Sequence, residues 1–339
     1  MGERLGVRQF GRVGRIPTAT GFGVGDINSY VILPHKGSTE LVLIDTGIGS
    51  EDAWQTLGNG LNELGFRIED ITLLLLTHAH TDHFGQAARI REAAGCEVWG
   101  HENINMTLGR YVPSPEREDI ERAFLARLGF TREIYDRAYA YRAGIKNIMR
   151  PCPPDRLLKD GDVIAIEGFD LELVHTPGHC PEEVVYWQAE TCQMFSGDHL
   201  LPDITPVCLL DIPATVDGPR TRTLVQYYES ADKVKPYPAR AVYPSHGDVF
   251  QDHLALIASY RLSTERRLLK ISRILAEQSD LTPLEVGQRL FPKAWEDQLY
   301  AVISEVMGHL DMLEAGGHVS SVESQGLLRY RLESVPAPS

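Results

Sequence analysis

The stretch Thr77–Gly85, THAHTDHFG, follows four consecutive leucines, Leu73 to Leu76. It places His78, His80, Asp82 and His83 within six positions, in a chain with 12 histidines among 339 residues. A single histidine is usually packed or solvated; this crowding at the end of an apolar run calls for a chemical reason. In extended backbone, side chains two apart share a face, so His78 and His80 converge if the strand continues through residue 80. Asp82 and His83 follow in the turn and reach a neighbouring point. The spacing is not the i, i+4 pair of a helical metalloprotease. Four candidate ligands exceed what one tetrahedral catalytic ion takes from so short a segment, which predicts two metal ions.

Further donors stand at the ends of later apolar runs. HTPGHC places His179 after a Pro-Gly turn, FSGDHL places Asp198 after a strand-like run, and YPSHGD does the same for His246. The order H-x-H-x-D-H, then His, then Asp, then His resembles the metallo-β-lactamase superfamily over roughly residues 20–250, and LIDTG (Leu43–Gly47) matches the early strand of that family. The resemblance implies an α/β fold: an αββα sandwich with the site at one edge of two sheets. It implies that His78, His80 and His179 hold one ion, that Asp82, His83 and His246 hold the other, and that Asp198 bridges both. Asp45 would steer a ligand imidazole.

Two divalent ions about 3.5–4 Å apart share a water and make it hydroxide near neutral pH, able to attack a carbonyl or phosphorus. Asp82 is the catalytic candidate, as ligand and proton acceptor. Two Zn2+ suit the imidazole-rich site, with Fe or Mn as alternatives at the more carboxylate-rich position. His175 and His199 are expected to be packed or supporting residues, and Cys180 a small buried hydrophobe.

The flanking sequence sets the frame. Strand-like runs at INSYVIL (27–33), LVLID (41–45), CEVWGH, DVIAI, DLELVHT, VVYWQ and CQMFSGD alternate with turns and with an amphipathic helix expected over Phe84–Ala94, closed by Gly95. Residues 104–156 read as a helical insertion, with helix starts at Ser114-Pro115 and Thr131. Its tyrosines and arginines (Tyr111, Tyr135, Tyr139, Tyr141, Arg142) fit a substrate-binding element, a solvated helix pair or a homodimer surface equally well. The expected domains are 1–250, carrying the insertion, and 251–339, where three helices and a hairpin look winged-helix-like. Thr282, Pro283 and Glu285 form a capping-box signature there.

Composition narrows the function. The chain is 43% hydrophobic and 24% charged, with a formal net charge of −14. No run is long enough for a membrane span. The N-terminal segment has scattered arginines and no apolar core, so a secretory signal is not expected. Five cysteines without metal-site spacing (Cys96, Cys152, Cys180, Cys192 and Cys208) suggest free thiols in a cytoplasmic protein. A flavodiiron role is disfavoured by His80, where that group usually has Glu, and by the lack of a flavodoxin domain.

The C-terminal helices resemble the lactamase-beta-2-like branch, which includes an endoribonuclease. Yet residues 251–339 hold 9 Lys+Arg against 12 Asp+Glu, and the third helix there carries Glu296, Asp297, Glu305, Asp311 and Glu314. Such a helix repels phosphate. The expected activity is therefore hydrolysis of an acyl carbonyl in a small-molecule thioester, lactone or related ester by a metal-bridging hydroxide, with metal-dependent endoribonuclease as the alternative. Neither nucleic acid nor membrane is expected as a partner.

Overall fold

Residues 6–138 and 150–336 are described in the computed structural model. The four leucines ahead of the histidine cluster show how its fold is layered. Leu73–Leu75 form β5, and successive side chains point to opposite faces. Leu74 and Leu76 pack with Leu43, Leu57, Leu61 and Ile90 in one core; Leu73 and Leu75 pack with Tyr30, Leu173, Tyr186 and Phe195 in another. Burial on both faces explains the uninterrupted apolar run, as expected for a parallel strand inside a layered domain.

The first core lies between helices and a seven-stranded sheet ordered β1-β2-β3-β4-β5-β6-β7. Its other strands are β1 (Arg8–Phe10), β2 (Val13–Thr18), β3 (Ile27–Ile32), β4 (Val42–Ile44), β6 (Glu97–His101) and β7 (Arg156–Leu158). Strands β4 to β7 run parallel, the rest antiparallel. Parallel neighbours need crossovers, supplied by α1 (Glu51–Glu63) before β5 and by α2 (Thr81–Phe84) and α3 (Ala87–Ala94) before β6. The second core joins this sheet to a five-stranded one, ordered β12-β11-β10-β9-β8. Its strands are β8 (Val163–Ile164), β9 (Leu171–His175), β10 (Val184–Gln188), β11 (Gln193–Gly197) and β12 (Ala241–Pro244).

The helix expected over Phe84–Ala94 is two pieces. Gly85 and Gln86 interrupt it, because the preceding DTGIG loop holds the backbone there: Gln86 N–H donates to Thr46 Oγ1 at 3.0 Å, and its side-chain amide donates to Ile48 O and Ser50 O at 2.8 Å each. Gly95 closes α3 in the left-handed conformation, as expected. The strand itself stops at Leu75, so His78 and His80 stand on a loop beyond it.

Strands β1 and β2 precede the region of family resemblance and were not anticipated. Arg15 on β2 is wholly buried and pairs with Asp248, two residues past His246. Asn28 on β3 reinforces the same loop, its amide donating to Pro244 O (3.0 Å) and Gly247 O (2.8 Å), while Tyr30 Oη donates to Pro244 O (2.7 Å).

The chain divides into two compact units that are not contiguous in sequence. One comprises Met1–Val112, Ile145–Pro206 and Lys233–Leu256; the other comprises Pro113–Gly144, Val207–Asp232 and Ile257–Ser339. This differs from the division at residue 250. The helix Pro115–Arg127, read in sequence as part of an insertion in the first domain, buries Phe124 and Leu125 against Ile271, Leu284, Met307 and Tyr330 of the second unit. Ser114 caps it, accepting from Arg117 N–H. Thr131 directly precedes the next helix, and its Oγ1 accepts from Ile134 N–H at 3.3 Å. Tyr139, Tyr141 and Arg142 lie outside the described residues.

The second unit also contains the helix Leu299–Ala315, the expected capping box of Thr282 and Glu285 on Pro283–Leu290, and a hairpin of β13 (Val319–Ser324) with β14 (Leu327–Leu332). The helix Leu299–Ala315 begins after Glu296 and Asp297. Asp311 on it is buried against Arg220, and Glu305 pairs with Arg267. Its acidity is therefore partly neutralised, which weakens the phosphate repulsion expected of it. No helix among the described residues is long and apolar enough to cross a membrane.

Candidate metal centre

All seven expected ligands meet at the sheet edge of the first unit. His78 Nε2 and His179 Nε2 lie 2.9 and 2.8 Å from the same atom, His80 Nδ1. His246 Nε2 is 3.4 Å from Asp82 Oδ2, and His83 Nε2 is 4.0 Å from Asp82 Oδ1. Asp198 lies between the two groups. Its Oδ2 is 3.4 Å from His179 Nε2, and its Oδ1 is 3.5 Å from His83 Nε2 and 3.6 Å from His246 Nε2.

The opposite ring nitrogens are anchored, which fixes the tautomers. His83 Nδ1 donates to Asp45 Oδ2 at 2.9 Å, and His246 Nδ1 donates to the Asp26 carbonyl at 2.9 Å. His78 Nδ1 faces Glu183 Oε2 at 3.0 Å. Each of these rings therefore turns its Nε2 inward, toward the other donor atoms. His83 Nε2, His246 Nε2 and Asp198 Oδ1 are buried without a hydrogen-bond partner among the described residues. Converging, desolvated lone pairs with no proton donor fit cations. Sets of three donor atoms mutually within 4.8 Å include His78, His83 and Asp198; Asp82, His83 and His246; His78, His179 and Glu183; and His78, His80 and Cys180.

Local structure explains how the candidate ligands of the first cluster arrive. His80 is extended and caps α2, so Asp82 and His83 occupy that helix's first turn. Thr46 N–H and Thr46 Oγ1 both donate to the His83 carbonyl, at 2.7 and 2.8 Å. Asp45 takes a positive φ of 58° and accepts from Thr77 N–H (2.9 Å) and Thr77 Oγ1 (2.7 Å) as well as His83. Aspartate tolerates this region better than most residues. The steering role expected for Asp45 thus has a geometric basis.

The protein's own charges act strongly here. Burial lowers His80 to about 3, with His179 adding to the effect; burial and the neighbouring imidazoles also hold His78 well below its usual range. Burial opposes charge on His83 too, but Asp198, Asp82 and Asp45 outweigh it and raise the ring well above the ordinary value. Asp82 and Asp198 experience the same opposition from burial; His83 and His246 overcome it and lower both carboxyls.

Two acids missed in sequence complete the surroundings. Glu182 Oε1 accepts from the Ala79 N–H at 3.1 Å, and its Oε2 from Thr107 Oγ1 at 2.7 Å. Glu183 is likewise fully buried. Tyr111 Oη donates to the Ala79 carbonyl at 3.0 Å, so this insertion tyrosine braces the ligand loop. Cys180 is buried and donates weakly to Glu183 at 3.7 Å, besides neighbouring His78 and His80. His199 is buried outside these donor sets, and His175 donates to Pro181 O at 2.9 Å.

Residues 22–246 match the family described as the Metallo-beta-lactamase superfamily. The chain belongs to that superfamily. It is similar to the probable metallo-hydrolase YqjP of Bacillus subtilis, 29% identical over 320 residues, covering 91% of this chain and 93% of that protein. A beta-lactamase-like protein 2 homolog of Drosophila melanogaster is 24% identical, covering 86% and 82%. An atrochrysone carboxyl ACP thioesterase of Aspergillus fumigatus is 23% identical, covering 80% and 74%. Among solved structures, the metallo-beta-lactamase family protein TTHA1429 of Thermus thermophilus has the same fold, with a TM-score of 0.80 at 24% identity, covering 96% of this chain and 99% of that one.

Proposed function

We propose that the chain is a dinuclear metal-dependent hydrolase of acyl substrates, acting on a small-molecule thioester, lactone or related ester. The observation that carries the dinuclear part is Asp198, whose two oxygens face different groups of imidazoles. His78, His80 and His179 would hold one ion and Asp82, His83 and His246 the other, with Asp198 shared. Two divalent cations, best suited as zinc, would supply Lewis acidity and lower the pKa of water at the site.

The residues themselves do the remaining work. Asp45 and Asp26 hold imidazole tautomers, and the buried loops keep bulk water from the anchored nitrogens. Asp82 presents a carboxylate at the edge of the cluster, with one oxygen toward each of two imidazoles, where it can hold and release a proton. The acyl preference rests on the net charge of −14 and on the thioesterase among the similar proteins. We read the three C-terminal helices and their hairpin as a winged-helix-like unit in a packing role, since Asp311 and Glu305 there are tied into ion pairs.

A hydrolysis panel of thioesters, lactones and β-lactams on zinc-loaded protein tests this reading. We expect turnover of at least one acyl class and about two ions per chain. Asp82→Ala should lower turnover about a hundredfold or more, since it removes a ligand and a proton acceptor together. His199→Ala should do much less. Equal losses in the two variants would refute the role given to Asp82, and a ceiling of one bound ion would refute the dinuclear reading.

A further inference from the structure

Glu183 is the acid whose position the proposed centre does not yet explain. Its side chain is wholly buried, and both oxygens are used as acceptors. Oε1 accepts from the backbone N–H of Asp198 at 3.0 Å. Oε2 faces His78 Nδ1 at 3.0 Å and the Cys180 thiol at 3.7 Å. One carboxylate therefore touches a ring that would hold the first ion and the peptide of the residue that would be shared.

The backbone next to it is shaped to admit this contact. Gly197, directly before Asp198, has φ +53°, and a Cβ there would collide with Glu183 Oε1 and approach Thr77 Cβ at 3.0 Å. The glycine of FSGD thus leaves room for the carboxylate. His83, on the other side, leans on Asp45, and Thr77 Oγ1 joins the two halves: it donates to Asp45 Oδ2 at 2.7 Å and lies 3.1 Å from His78 Nδ1.

Position makes the same point. Asp82 and Asp198 lie in the cluster, and Asp45 and Glu183 are buried behind it, each against one of its imidazoles. Glu182 stands apart from this set: it accepts from the Ala79 N–H and from Thr107 Oγ1, and the charge of Arg110 acts on it.

We propose that Glu183 is the positioning residue of the first ion: its carboxylate orients His78 and fixes the Asp198 backbone, as Asp45 does for His83 at the second. This inference rests on the dinuclear reading above. A carboxylate behind a ligating imidazole fixes its orientation and raises its basicity, and losing it typically costs about 10–100-fold in metal affinity.

The test uses full-length protein stripped of metal and titrated with Zn2+ against a chromogenic chelator, and with Co2+ followed by its visible absorption. Glu183→Gln keeps the side chain's shape and removes its charge. We expect it to weaken one of the two ions by about tenfold or more, while the metal-free melting temperature changes little. Asp45→Asn should weaken the other ion. Double variants with His78→Ala or His246→Ala identify which ion is lost: Glu183→Gln should add little to His78→Ala and act in full on the ion that survives His246→Ala. Unchanged affinities for both ions in Glu183→Gln overturn the inference while the dinuclear reading stands. A parent protein binding fewer than two ions overturns both. Should Glu183→Gln not fold, Glu183→Asp carries the test. Its shorter carboxylate cannot span both partners, so the Co2+ absorption must shift with two ions still bound, and an unaltered spectrum overturns the proposal.

Discussion

At the scale of single residues, Gly85 shows how closely the ligand turn is fitted. A Cβ at this position would lie 2.6 Å from Thr81 O and 2.8 Å from Gly47 O, and would also strike Gly49 N. These are backbone atoms that cannot swing aside. Gly85→Ala should therefore force apart the DTGIG loop and the turn carrying Asp82 and His83, at a cost of about 1–3 kcal/mol. Gly58, within α1, is the contrasting case: its added Cβ would meet only Ile68 Cδ1, at 3.6 Å. Gly58→Ala should stabilise by about 0.5–1 kcal/mol, because a helical alanine loses less backbone freedom on folding. Thermal melts of the metal-free proteins check both signs, and a Gly85→Ala melt equal to the parent's would contradict the packing argument. The glycine could be read in sequence as a helix residue after the cluster, but not its contact partners, because Gly47 and Gly49 lie far before it in the chain. The same limit hid Glu182 and Glu183. Two acids ahead of the apolar run VVYWQ carry no local sign of burial, and only the fold shows them beneath His78 and Ala79. His78, His80, Asp82 and His83 were legible because their chemistry is concentrated in one local stretch. Arg15 was not: one arginine among several near the N-terminus carries no sign that it will be buried.

At the scale of elements, the ends of β6 and β9 bring together His101 and His175. Their rings stack with centroids 3.8 Å apart and planes 17° apart, joining one sheet to the other. Asn103 N–H donates to His101 Nδ1 at 3.2 Å, and His175 Nε2–H donates to Pro181 O at 2.9 Å, on the loop that carries His179. Asp160, Glu102 and Lys233 are the charged groups that act on His175, and Asp160 and Lys233 act on His101. Burial, followed by the charge of His175, lowers His101 to about 4, and burial lowers His175 as well. In the unfolded chain each ring takes a proton near pH 6.5. Between that pH and about 4 the unfolded state therefore binds more protons than the fold, so the pair's contribution is complete above 6.5 and is lost as pH falls through the window. Protonation would also remove the lone pair that Asn103 uses. The parent should melt lower at pH 5 than at pH 7, and His101→Gln should melt lower than the parent at pH 7 yet lose less on acidification. Identical losses in the two proteins would exclude His101 from the acid response.

At the scale of the whole molecule, the two substrate readings differ in how they meet a net charge of −14. A polyanion held by several phosphate contacts releases counterions, so its apparent affinity falls steeply with added salt. A small acyl substrate with little or no charge has no such dependence beyond ordinary screening. Several arginines of the second unit are engaged by acids of the same unit. Arg220 is spent on Asp311, Arg267 on Glu305, Arg222 on Glu314 and Arg261 on Asp232, and Arg127 reaches both Asp217 and Glu323. The sequence showed the acid excess of this region but not its assembly. The helix Pro115–Arg127 and residues 257–339 share one core although more than a hundred residues separate them, and no local pattern encodes that pairing. Cleavage of single-stranded and structured RNA, measured beside the acyl panel at low and moderate salt, brings the two readings into direct competition. We expect acyl turnover that changes little between the two salt levels and no metal-dependent RNA cleavage. Efficient RNA cleavage that falls steeply with salt and is abolished by Asp82→Ala, with every acyl substrate left intact, would reverse the choice of substrate. The same result would leave the dinuclear assignment in place, because it would require Asp82 at the same centre.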